Sequence, residues 1–149
     1  MFAAVSRGAA AVVTLAALLN TSTAIAAAAP CTIANATPLS FDMSAIDSRR
    51  TVDGRASFTV TCPIARTESI SLIYSHELLG SPTGASLRYD LYARADRTDV
   101  WGAGNDGAAV IRTFPAAEPT VVRVYARIPA QAPVAAGQFS DTIDVVMLP

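Results

Sequence analysis

From Cys31 to the C-terminus the apolar residues of this chain recur at every second position, in short runs broken by Gly, Pro, Asp and Asn. A period of two belongs to strands with one wet and one dry face, not to helices, whose period is 3.6. Phe58, Val60 and Cys62 alternate with Ser57, Thr59 and Thr61, and Ile70, Leu72 and Tyr74 with Ser69 and Ser71. Leu87, Tyr89 and Leu91 alternate with Arg88 and Asp90, and Val122, Val124, Ala126 and Ile128 with Arg123, Tyr125 and Arg127. In the last run Phe139, Ile143, Val145 and Met147 share one face, opposite Gln138, Ser140, Thr142 and Asp144. Residues 31–35, 38–43 and the less regular 108–113 bring the expectation to seven or eight strands, with no convincing helix. Turns are expected at Asp53-Gly54, 80–84, 102–107, Pro115 and 129–137. Strands with one dry face must cover one another, so the pattern predicts an all-β protein, an antiparallel β-sandwich. The last strand runs almost to Pro149 with an apolar edge, and such an edge is covered either by another strand of the chain or by a partner.

The first thirty residues follow a different pattern. Arg7 supplies one positive charge, residues 8–19 form an apolar run of twelve, and polar residues 20–23 follow. This is the order of a secretory signal, and small residues at Ala24 and Ala26 place the cut after Ala26, with Ala28 nearly as good. A membrane anchor would need about 20 apolar residues. The expected organisation is a removed signal at 1–26, one domain at 27–149, and no stable membrane insertion. The residues before Cys31, Ala28-Ala29-Pro30, do not suit a lipoprotein.

Export makes the two cysteines informative. An oxidising compartment pairs Cys31 with Cys62, closing a loop of about 32 residues worth roughly 3–4 kcal/mol in the chain-entropy model. After removal of 1–26, ten arginines face twelve Asp and Glu, a net charge of −2 with no long basic run, which excludes a basic nucleic-acid binder. The chain has no lysine, and with it go Schiff-base chemistry, a P-loop and Lys–Asn cross-links. Residues 102–107 match G-x-G-x-x-G, but a short β-type run broken by Pro115 follows where a dinucleotide site needs a helix. His76-Glu77 begins like a zinc-protease motif, yet Gly80 stands at the second ligand position and there is no other His. The sequence therefore points to no enzyme, no metal and no cofactor.

Cys31 followed by Pro38-Leu39-Ser40-Phe41, the segment 87–92 leading into 97–102, the stretch 124–130, and residues 136–143 resemble the spore coat protein U domain, in the right order over nearly the whole mature chain. That family includes subunits of archaic chaperone–usher pili of Gram-negative bacteria. The resemblance implies an immunoglobulin-like sandwich lacking its final strand, with a disulfide at Cys31 and Cys62. It also implies a donor-strand groove at Ile33, Phe139, Ile143, Val145 and Met147, filled first by a periplasmic chaperone and then by a neighbouring subunit. The implied partners are that chaperone, an usher and other pilus subunits, and the implied location is the periplasm and then the cell surface. Shaft subunits carry a donor extension before the first Cys; here cleavage after Ala26 leaves four residues, spanning at most about 14 Å, which suggests a terminal position. A tip adhesin or carbohydrate-binding module, with Tyr92, Trp101 and Tyr125 as stacking aromatics, is the alternative, beside a self-contained secreted coat protein.

Overall fold

A computed structural model of the chain describes residues 2–7, 29–41, 49–133 and 138–149. Eleven strands are named among them: β1 (Phe2–Arg7), β2 (Thr32–Ala34), β3 (Ser40–Phe41), β4 (Val52–Thr61), β5 (Arg66–Ile73), β6 (Glu77–Ser81), β7 (Ser86–Arg88), β8 (Asp90–Tyr92), β9 (Val110–Phe114), β10 (Thr120–Ile128) and β11 (Gln138–Leu148). The 3-10 turn Gly104–Asp106 lies between β8 and β9. The apolar run 8–19, the cleavage residues Ala24, Ala26 and Ala28, and Met43 lie outside the described residues.

The strands form two sheets. In the second sheet Val60 of β4 pairs with Ile33 of β2 and with Thr120 of β10, and Arg55 pairs with Ser40 of β3 and with Tyr125 of β10. A strand has two edges, so β2 and β3 form one line on the far side of β4 from β10, and β8 pairs the outer edge of β10. In the first sheet β9 pairs β5, β7 pairs β6, and both β5 and β6 pair β11. Asp144 of β11 pairs with Ile73 and Ser140 with Leu79, so residues 74–78 stand opposite only 141–143. β5 and β6 are thus one bent line with two extra residues, the geometry of a bulge.

The alternating residues fill the space between the sheets. Phe58, Val60 and Cys62, Ile70 and Leu72, Val122, Val124, Ala126 and Ile128, and Phe139, Ile143 and Val145 are all buried. Glu68 is the buried charged residue of this layer, and Arg66 Nε donates to its Oε1 at 2.6 Å. The disulfide joins Cys31, just before β2, to Cys62, just after β4.

Two expectations are corrected. Asp53-Gly54 lies inside β4 and makes no turn. There β3 approaches so closely that a Cβ on Gly54 would stand 2.7 Å from the Phe41 ring and 2.7 Å from the Ser40 carbonyl oxygen, so glycine serves packing here. Residues 87–91 are not one strand: β7 belongs to the first sheet and β8 to the second. Tyr89, buried at the crossing, donates its N–H to the His76 carbonyl at 3.0 Å.

Candidate functional site

β11 is the strand whose surroundings matter most. Its alternation puts Phe139, Ile143 and Val145 into the core, where all three are buried, and Met147 packs half-buried against them. The bulge side of β11 is fixed by Asp141. Its Oδ2 accepts from the Tyr89 hydroxyl at 2.7 Å and from the Ser75 N–H at 3.0 Å, while its Oδ1 accepts from the Thr142 N–H at 2.8 Å. Burial, and then the bond to Asp141, push the Tyr89 phenol far up. Burial likewise raises the neighbouring Tyr74 phenol, whose oxygen accepts from the Leu91 N–H at 3.0 Å. Sequence reading missed Asp141, which stands as one more polar residue in a polar-looking stretch; only the fold brings Ser75 and Tyr89 to it.

The other edge of β11 is taken by β1. Phe2 pairs with Ser140 and the register runs in parallel to Arg7 with Val145. Ser140 also pairs with Leu79, and Asp144 and Val145 also pair with Ile73 and Leu72, so β1 lies on the edge that β5 and β6 leave open. All other pairings among the named strands are antiparallel. Of the two ways to cover the last strand, another strand of the chain is the one observed. It comes from the segment read as the charged start of a signal, where no strand was expected. The pairing with β1 ends at Val145, so among the described residues Val146, Met147 and Leu148 have a strand neighbour on the β5 side alone.

The remaining groove residue, Ile33, sits on β2 in the second sheet, half-buried against the core. The structure brings Phe139, Ile143, Val145 and Met147 onto one strand face and leaves Ile33 on a different sheet.

The stacking aromatics separate. Trp101 is 1% exposed and its Nε1–H donates to the Ile70 carbonyl at 2.8 Å, so it is a core residue and no ligand platform. Tyr92 and Tyr125 are half-exposed partners across β8 and β10. The Arg97 guanidinium lies 5.6 Å from the centre of the Tyr125 ring. Beside them Asp53 accepts from Arg127 Nε at 2.7 Å and Nη2 at 3.0 Å and pairs with Arg97 at 3.4 Å. The bond from Arg127 holds the Asp53 carboxyl below its usual range.

His76 Nδ1 and Asp90 Oδ1 pair at 2.8 Å, the contact that a Ser-His-Asp triad would need, but among the described residues no serine completes it at His76. The adjacent Ser75 hydroxyl instead donates to the Glu77 carbonyl at 2.6 Å. Among the described residues no three His, Cys, Asp or Glu are grouped to hold a metal, and no helix is long and apolar enough to cross a membrane.

Comparison with known proteins agrees with this architecture. The family model of the Spore Coat Protein U domain matches residues 15–146, beginning inside the stretch read as a signal. No curated protein matches the chain. With a match over most of its 149 residues, two β-sheets and the Cys31–Cys62 bridge, the chain belongs to the spore coat protein U domain family, in keeping with a role as a pilus or surface-structure subunit.

Proposed function

We propose that this protein is a non-catalytic subunit of an exported surface structure, and that the outer edge of β11 accepts a donor strand. The observation that carries the reading is the pairing of β1 along residues 140–145, an edge that none of the other named strands shares. Removal of the signal after Ala26 takes β1 away and leaves that edge open above the buried Phe139, Ile143 and Val145. An open apolar edge is a template for another chain, and an added strand binds through main-chain hydrogen bonds while its alternate side chains fill pockets. A periplasmic chaperone fills the edge first, an usher exchanges it, and a neighbouring subunit replaces it at the cell surface of a Gram-negative bacterium. Met147 extends the acceptor groove along the same face of β11. With cleavage after Ala26, residues 27–30 are too short to act as a donor, which supports a terminal position for the subunit.

The experiment is a thermal melt of the exported, processed protein with a synthetic donor peptide from a neighbouring subunit. The peptide raises Tm, because a ligand selective for the folded state stabilises it by mass action. Ile143→Asp removes the effect by burying an unpaired charge against the peptide. A processed protein that melts cooperatively as a monomer and ignores the peptide overturns the reading. A second reading, a self-contained coat protein, is favoured by the same β1–β11 pairing if residues 2–7 stay attached, and the mass of the exported chain separates the two.

A further inference from the structure

The outer face of the second sheet carries a feature that strand acceptance does not use. β4 and β10 place Arg55 directly opposite Tyr125, and Ser57 directly opposite Arg123. Arg55 and Arg123 are therefore diagonal neighbours on one face, within about 7–8 Å at the backbone. Both side chains are exposed, and among the described residues neither has a carboxylate partner. The nearest acid along the ladder, Asp53, is already held by Arg127 and Arg97. Two like charges at this spacing repel unless an anion lies between them.

Between them is an open depression of about 410 Å³ lined by Arg55, Arg123, Tyr125, Thr37 and Ser57. Its polar wall is held in place: Ser57 N–H donates to Thr37 Oγ1 at 2.8 Å, Thr37 N–H donates to the Ser57 carbonyl at 2.8 Å, and the two hydroxyl oxygens stand 3.4 Å apart. The Tyr125 ring is held too. Arg97, 5.6 Å from its centre, is anchored by donating from Nε to the Ala126 carbonyl at 3.1 Å and from Nη1 to the Ala95 carbonyl at 2.8 Å.

We propose that this depression binds an acidic saccharide, a pyranose bearing a carboxylate or sulfate. The guanidinium forks of Arg55 and Arg123 match the planar or trigonal oxygens of such a group. The Tyr125 ring offers an apolar surface for the C–H face of the sugar, and the Thr37 and Ser57 hydroxyls meet its hydroxyls. Two unpaired cations beside one aromatic ring fit one or two anionic groups per bound sugar. They do not fit a long polyphosphate, which needs an extended positive surface, whereas this chain has a formal net charge of −1. The assignment is independent of strand acceptance, because β11 lies in the other sheet.

Titration calorimetry of the exported protein tests it, with a heparin tetrasaccharide and a galacturonate trimer as the sulfated and carboxylated probes. Maltotriose, inorganic sulfate and a single-stranded oligodeoxynucleotide serve as comparisons. Binding of either acidic probe, weakened about ten-fold or more by R55Q/R123Q and unchanged by R88Q on the first sheet, supports the proposal. Tyr125→Leu weakens the saccharide and leaves sulfate unaffected. R123Q alone, at an exposed position, gives the same direction if the double variant does not fold. Failure of both acidic probes, equal binding of maltotriose, tighter binding of the oligonucleotide, or binding unchanged in R55Q/R123Q overturns it.

Discussion

Trp101 heads the fully buried side chains by volume, and its indole N–H meets the Ile70 carbonyl. Replacing it with Phe removes the donor and opens a gap, so Trp101→Phe costs about 2–4 kcal/mol, read as a lower denaturant midpoint with unchanged slope. The indole also reports on its surroundings: its fluorescence stays blue-shifted in the folded protein. Tyr74 and Tyr89 carry the pH dependence. Both phenols are raised by burial, so in the folded protein they stay neutral where the unfolded chain ionises, near pH 10. Their contribution is complete below about pH 10 and is lost as the pH rises above it. Phenolate absorbance of the native protein therefore lacks these two groups until unfolding, and Tyr89→Phe flattens the alkaline limb. Ionisation of all four tyrosines of the chain before unfolding would refute the burial argument.

At the scale of elements, β4 and β11 carry the design. β4 is flanked by the β2–β3 line on one edge and β10 on the other, and Gly54 is where β3 comes closest. The added methyl of Gly54→Ala meets the Phe41 ring and the Ser40 carbonyl, so the variant loses about 1–3 kcal/mol through displacement of β3. Helical propensity would make the same change favourable in a helix, which gives its sign diagnostic value. Amide exchange should speed up at Ser40 and Phe41 before the centre of β4 responds. β11 differs because its two edges are unequal. One is bonded to the bent β5–β6 line over both halves, and the other, among the described residues, meets β1 alone.

For the whole molecule, the disulfide ties β2 to the end of β4 across a sequence separation of 31 residues. Replacing both cysteines with Ser frees that loop in the unfolded chain and lowers stability by roughly 3–4 kcal/mol. Denaturation of the variant beside the oxidised parent checks the value, and a difference under about 1 kcal/mol would mean that the unfolded chain is already restricted there. The molecule divides its surfaces between the sheets: strand pairing along β11 in the first, and an arginine-rich outer face in the second, where Arg97 and Arg127 hold Asp53 while Arg55 and Arg123 stand further along the β4–β10 ladder.

Which residues face inward was readable from the sequence, because successive side chains of a strand point to opposite faces whatever the strand pairs with. The buried sets of β4, β5, β10 and β11 follow that alternation residue for residue. The disulfide was equally readable, since two cysteines allow one bridge. Partners were not. That residues 87–91 change sheets at Tyr89, that Gly54 admits β3, that Trp101 folds inward beside Leu91, and that Phe2–Arg7 pairs with β11 all depend on contacts between segments far apart in the chain. The convergence of Arg55, Arg123 and Tyr125 is of the same kind, because it exists only in the register of β4 against β10. Alternation is imposed locally by backbone geometry, whereas register and neighbours are selected by the packing of the whole sandwich.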